Sequence, residues 1–276
     1  MLYQALSYLQ FLLRSGNAHG LHSPFVFALY NDVIQRGGFY SAFARIEAER
    51  KALLHRPDSI TVCDFGAGSH TGAGTERRVR DIARTAAKPR KFGQLLFRLV
   101  NHFQPRTVLE LGTSLGLTTA YLAAANSRTR VVTFEGCPQT AAVARETFQN
   151  LSLKNVTLVE GNLDNTLAAS AKNLGSPVDF VFFDGNHRYE PTVRYFEQLL
   201  PFRTEHSLFV FDDIHWSAEM TRAWETIKAH PEVLLTIDLF FVGLVFFRKN
   251  QPKQHFRLRF DNLVDKLLNR TRSLSA

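Results

Sequence analysis

From Thr107 onward, short β-branched or aromatic apolar runs alternate with helix-like stretches, and few architectures accommodate that rhythm. Uninterrupted apolar runs belong to strands covered on both faces, and a helix between successive strands is the crossover that a parallel sheet needs. Strands are expected at Thr107–Leu111, Arg130–Phe134, Val156–Val159, Phe180–Phe183 and Ser207–Phe211, with helices at Thr118–Ala125, Pro138–Leu151 and Thr192–Leu200. A further helix, Ala218–Ala229, leads into Leu234–Asp238 and Gly243–Phe247, whose short connecting loop suits an antiparallel hairpin. Five parallel strands closed by such a hairpin define an α/β layout with a reversed last strand.

The rest of the chain reads differently. Residues 1–90 form a helical N-terminal region: Met1 to Leu54 reads as helices broken at Gly16 to Pro24 and around Gly37-Gly38, then come a short strand-like run at Ser59–Phe65 and a helix at Glu76–Ala86, and a further helix at Phe92–Phe103 opens the core. Residues 91–250 make the core, and 251–276 a basic C-terminal extension. With 276 residues and 45% hydrophobic content, a sizeable buried centre is assured. The apolar start, Met1 to Leu13, is interrupted by Gln4, Ser7 and Gln10 and reads as an amphipathic helix, and no run of about 18 apolar residues suggests a membrane span. Cys63 and Cys137 match no zinc or redox spacing, so a reducing, cytoplasmic setting is expected. The net charge of +8 is spread along the chain with modest clusters at Arg77 to Lys91 and Arg248 to Arg259, the pattern of a solvated surface and not of a nucleic-acid arm.

The strongest local signal is Val108-Leu-Glu-Leu-Gly-Thr-Ser-Leu-Gly116, an apolar strand running into a glycine turn and then a helix. Gly112 and Gly116 let the backbone approach a ligand, Thr113 and Ser114 lie between them, and the helix N-terminus beyond offers unpaired N–H groups. The turn is not G-x-G-x-x-G, which disfavours a dinucleotide. Glu110 is placed to face a cationic amino group, and Glu135, about 25 residues on at the next strand tip, reads as an acceptor for ribose hydroxyls or as a solvated turn carboxylate. Gly161 and Asn162, at the third tip, could present an N–H and an amide to an adenine edge.

Taken in order, Glu110-Leu-Gly-Thr-Ser-Leu-Gly116, Glu135, Gly161-Asn162, Asp184-Gly-Asn-His187 and Asp212-Asp213 resemble the motifs of class I S-adenosylmethionine-dependent methyltransferases, nearest to the small-molecule O-methyltransferases of catechol and caffeoyl-CoA type. The resemblance covers roughly residues 91–248. It implies a Rossmann-like, doubly wound seven-stranded sheet with an antiparallel last strand, S-adenosyl-L-methionine at the strand tips, and in-line methyl transfer to a small hydroxyl acceptor. In metal-dependent relatives an Asp and an Asp-Asn pair hold a divalent cation; here Asp184 and Asp212-Asp213 occupy those positions, with Asp213 in place of Asn. Mg²⁺ or another hard cation would suit three such carboxylates. The alternative is that Asp184 lines the cofactor pocket while Asp212 and Asp213 bond to backbone N–H groups at the start of the next helix.

His187 and His215 follow these carboxylates closely, so either is a candidate base, with Asp184 and Asp212 beside them; Tyr189 and Trp216 are candidates for an aromatic wall. The loop Gly66–Gly74 lacks a Gly-Lys-Ser/Thr phosphate motif and reads as a lid or acceptor-site loop. His19, His22 and Ser23-Pro24 read as a capped, helix-breaking turn. Two other functions stay open: a nucleoside-binding or scaffold protein without turnover, and an RNA methyltransferase, which only the basic charge favours. A homo-oligomer is compatible with the sequence.

Overall fold

The computed structural model describes residues 2–63 and 75–260. Its centre is an eight-stranded sheet built from β3 (Thr107–Leu111), β4 (Arg130–Glu135), β5 (Val156–Glu160), β6 (Phe180–Phe183), β7 (Leu208–Asp212), β8 (Leu235–Asp238), β9 (Val242–Phe246) and β10 (Gln254–Arg257). A separate antiparallel hairpin pairs β1 (Ser59–Val62) with β2 (Thr75–Arg78). The sheet order is β10-β8-β9-β7-β6-β3-β4-β5. The five strands from β5 to β7 are mutually parallel, and β9 inserts antiparallel between β7 and β8. The seven expected strands are all present; the eighth, β10, runs parallel to β8 from within the expected C-terminal extension.

Side-chain alternation sorts the sheet into two cores. Val108, Phe180, Phe182, Leu208 and Val210 face one side, while Leu109, Leu111, Val181, Phe183, Phe209 and Phe211 face the other. The first side is covered by α2 (Pro24–Leu29), the π-helical turn Tyr30–Ile34 that extends it, and α5 (Arg90–Phe103). The second is covered by α8 (Leu163–Asn173), α9 (Tyr189–Leu199) and α10 (Ala218–Ala229). A third cluster joins α3 (Ser41–His55) and α4 (Val79–Thr85) to α6 (Leu117–Ala124) and α7 (Pro138–Asn150). Helix α8 is the one crossover absent from the expectations: its alanine-rich sequence buries only Leu167 and Ala171, four apart, too sparse a stripe to mark a helix.

The N-terminal region is welded to this core. Ser23 caps α2 by accepting from the Val26 N–H, as expected of a capped turn. Buried Arg98 donates to the carbonyls of Val33 (2.7 Å) and Ile34 (3.2 Å), satisfying the orphan acceptors at the end of the π turn. Helix α1 (Leu2–Arg14) lays Tyr8 and Phe11 on Phe240, and Gly16 bridges to Leu258 beyond β10. The expected lid loop, residues 66–74, and residues 261–276 lie outside the described residues. Among those described, no helix is long and apolar enough to cross a membrane.

Strand β9 packs edge to edge between two neighbours and face to face with Trp224, so a Cβ at Gly243 would lie 2.7 Å from the indole ring. Gly243→Ala is expected to destabilise the fold by about 1–3 kcal/mol through overpacking. Urea unfolding measures this; an unchanged midpoint would mean that the ring is not seated against the strand.

Candidate active site

The winding direction reverses between β3 and β6, and a crevice opens there at the carboxyl ends of the strands, where doubly wound sheets bind ligands. A cavity of about 510 Å³ lies there, with Gly112, Ser114, Glu135, Asn162 and Gly185 in its wall. The glycine turn is pinned to the neighbouring strand: the N–H groups of Gly112 and Thr113 donate to the Phe134 carbonyl at 3.2 and 3.0 Å. Gly112 has φ +109°, and a Cβ there would fall 2.5 Å from the Asp184 carbonyl oxygen, so only glycine lets β3 and β6 deliver their tips side by side. Gly116 opens α6 in the left-handed region, with φ +81°. Ser114, Asn186 and Asp213 also have positive φ, so three separate strand ends turn sharply at the same face of the sheet.

Glu135 accepts the Ser114 N–H through Oε2 and the Cys137 N–H through Oε1, each at 2.9 Å. A carboxylate has about four lone-pair sites, so acceptor capacity remains for a ligand in the cavity. It is therefore neither a solvated turn carboxylate nor a free one: it ties the glycine turn to α7 while lining the cavity. Burial raises its pKa above the ordinary value, opposed by these N–H donors. Asn162 also lines the cavity, but its side-chain oxygen caps α8 by accepting the Asp164 N–H at 3.0 Å. Gly161, with φ +126°, makes the turn before it.

Glu110 is positioned differently from the expectation. It is fully buried, one layer beneath the cavity wall, where its Oε2 accepts the hydroxyls of Thr119 and, at 2.7 Å, Thr133. Thr113 continues the chain, its hydroxyl 2.6 Å from that of Thr133. The Glu110 carboxylate thus braces the glycine turn from below through Oε2, while its buried Oε1 has no partner among the described residues. Burial pushes its pKa up to about 8 despite the two hydroxyls, and the charges of Asp184 and Glu135 add to the rise.

Beside the cavity, the tips of β6 and β7 do bring Asp184, Asp212 and Asp213 together. Ligand atoms of Asp184, His187 and Asp212 lie within 4.8 Å of one another, the spacing of groups that can share one cation. The alternative of backbone capping by the two β7 carboxylates is not met, because Ser217 caps α10 instead. A cation is already among them, a pairing that sequence reasoning did not foresee: Lys88, just before α5, places Nζ 3.0 Å from Asp184 Oδ1, against Asp212 Oδ2, and 3.9 Å from Asp213 Oδ2. Burial opposes the ammonium charge, but the three carboxylates outweigh it and hold its pKa above the ordinary value. Burial and mutual repulsion push Asp212 and Asp213 up to about 6. His187 sits at the rim, Nε2 3.6 Å from Asp184 Oδ1.

His215 does not join this cluster. Its Nε2 pairs with Asp238 Oδ2 at 2.9 Å, its Nδ1 lies 3.3 Å from the Thr221 hydroxyl, and it faces a second cavity of about 380 Å³ lined by α1. Tyr189 is engaged by Arg222, which stacks on its ring at 3.8 Å, whereas Trp216 is exposed. The cavity's outer wall was not expected as such, although the strand-like run at Ser59–Phe65 that supplies half of it was. The β1–β2 hairpin contributes Val62, Cys63 and Arg77 and is fastened to α7 where the Cys63 N–H donates to Cys137 Sγ and the Cys137 thiol to the Thr61 carbonyl. Asn186, part of the Asp184-Gly-Asn-His187 motif but assigned no role from sequence, also lines the cavity; among the described residues its buried Oδ1 has no partner.

Residues 109–214 match the model of a methyltransferase-domain family. Catechol O-methyltransferase from Mycobacterium tuberculosis is 35% identical over 124 residues, which are 44% of this chain and 54% of that protein. The chain spans about half the length of the curated relatives it matches. Among solved structures, cofactor-bound Rv0187 from MTB aligns with a TM-score of 0.56 and 24% identity, over 82% of this chain and 96% of that one. The O-methyltransferase TomG from Streptomyces achromogenes, in complex with SAM, gives 0.52 and 18%, over 81% and 96%. At these identities the two structures establish a shared fold.

The raised pKa of Glu110 has a consequence for stability. Because the folded chain keeps a proton that the unfolded chain loses near pH 4.5, this group's contribution is full below about pH 4.5 and is lost as pH rises through about 8. Asp184, Asp212 and Asp213, also raised, slope the same way. Glu110→Gln should therefore flatten the decline in unfolding free energy between about pH 5 and 8 without abolishing it. Identical pH profiles for the two proteins would show that Glu110 is ionised in the fold.

Proposed function

We propose that this chain, whose core matches a methyltransferase domain, is an S-adenosyl-L-methionine-dependent O-methyltransferase acting on a small hydroxyl acceptor of the catechol kind. The observation that carries the reading is the adjacency of two features at one sheet end: a nucleoside-sized cavity backed by Glu135, and a carboxylate–histidine cluster on the next strand tips. The residues fit the cofactor. Glu135 has lone pairs left for a ribose diol, the turn at Gly112 admits close approach, and the buried, unpartnered Asn186 Oδ1 needs a donor such as an adenine amine.

When bound, S-adenosylmethionine would supply an electrophilic methyl group on a sulfonium centre. The chain's task is then alignment, a contribution that can reach roughly 7–11 kcal/mol. The β1–β2 hairpin walls the cavity on its outer side, the carboxylate cluster marks where the acceptor oxygen is held, and His187 at its rim takes the hydroxyl proton. His215, facing α1, has no part in this step.

Isothermal titration should show one S-adenosylmethionine site per chain, and methylation of a catechol should separate an enzyme from a nucleoside-binding scaffold. Absence of binding heat in folded protein would sink the reading. Glu135→Gln keeps the side chain's shape but removes charge-assisted acceptance, each such bond being worth about 1.5–3 kcal/mol, so affinity should fall about 10- to 100-fold. Unaltered affinity would place the ribose elsewhere.

A further inference from the structure

We propose that Lys88 is the chain's own substitute for a divalent cation: its ammonium fills the focus of Asp184, Asp212 and Asp213 and contacts the acceptor oxygen, so methyl transfer here needs no metal ion. The inference rests on the O-methyltransferase reading above. The donor set is of the kind that would suit Mg²⁺ or Mn²⁺, yet the space is taken. Ligand oxygens stand about 2.0–2.6 Å from such ions. Nζ already lies 3.0 Å from Asp184 Oδ1 and against Asp212 Oδ2, so an ion bridging the same oxygens would lie in contact with a like charge.

Lys88 is held there by the fold. It directly precedes Pro89, the N-cap of α5, and the next turns of α5 bury Phe92, Leu95, Leu96 and Leu99. Its side chain is itself only 15% exposed. An ammonium has three N–H groups. Two are accounted for by Asp184 and Asp212, while Asp213, at 3.9 Å, is beyond hydrogen-bond reach, which among the described residues leaves one donor for a ligand.

Aimed at an acceptor hydroxyl, that donor would stabilise the negative charge that grows on oxygen. The O–CH₃ bond forms as the S–CH₃ bond breaks, the electron pair returns to sulfur as a thioether, and the hydroxyl proton passes to His187. Lys88 in this arrangement is a catalytic residue, doing by charge and one hydrogen bond what an ion would do by coordination.

Two measurements test it, one independent of turnover. Mn²⁺ titration followed by electron paramagnetic resonance should show no bound ion in the wild type, whereas Lys88→Ala, which vacates the focus of three carboxylates, should bind one Mn²⁺ per chain. Catechol methylation by the wild type should be indifferent to EDTA, and in EDTA the variant should lose about 10²- to 10³-fold in kcat, the scale of removing one donor from a developing oxyanion. Stoichiometric Mn²⁺ binding by the wild type, or EDTA-sensitive turnover, overturns the proposal, and so does a folded variant that keeps full activity in EDTA. Should the variant not fold, the wild-type titration still decides. A chain that binds no S-adenosylmethionine would remove the methyltransferase reading, while the Mn²⁺ comparison would still show what fills the carboxylate focus.

Discussion

Strand β3 is enclosed on both faces and paired on both edges, and the cavity's inner wall takes its position from that enclosure. Val108 is locked into the core under α2 and α5, and Leu109 and Leu111 into the core under α8 to α10, so the strand can neither slip nor rotate. Its tip then fixes its neighbours. The turn at Gly112 is bonded to the end of β4, and the Leu111 carbonyl accepts the Asp184 N–H at 2.9 Å, setting where β6 ends. One register error would move Glu110 out of its buried niche and carry Asp184 away from Lys88.

The same enclosure explains why the acidic groups behave so differently. Glu110, Glu135, Asp184 and Asp212 all belong to strand ends, but their partners are distinct: threonine hydroxyls for Glu110, backbone N–H groups for Glu135, an ammonium for the two aspartates. Hydroxyls are weak compensation for a fully buried charge, and Glu110 accordingly keeps its proton to about pH 8. The ion-paired cluster remains a place of opposed charges. Burial raises the carboxylates while Lys88 pulls them back, leaving a polar focus beside an otherwise apolar sheet.

Much of this architecture was legible because strands buried on both faces advertise themselves as apolar runs, and Phe180–Phe183 and Leu208–Asp212 were recognised to within a residue. The strand tips were legible too, since glycine turns and terminal carboxylates follow such runs directly. What stayed hidden was anything set by long-range packing. Strand β10 is a short polar run, Gln-His-Phe-Arg, with no alternation to mark it. The β1–β2 hairpin takes its place from contacts with α7 across more than seventy residues of sequence. Orientation was equally out of reach: sequence placed Glu110 and His215 at strand ends, but only packing turned one beneath the cavity and the other toward Asp238.

Lys88 lies on the N-terminal side of residue 90, where a boundary between helical cap and core seemed natural, and that placement bears on how the protein is built. The core strands bring three carboxylates to one point but supply no lysine or arginine to meet them; among the described residues, the ammonium that does so arrives with the segment before α5. Removing one partner from a buried charge cluster is commonly worth about 3–5 kcal/mol, because the remaining charges stay behind uncompensated. The N-terminal region therefore does more than shape an outer wall with the β1–β2 hairpin. It completes the electrostatics at the carboxyl end of the sheet, so the core's acidic tips and Lys88 of the cap belong to one folding unit.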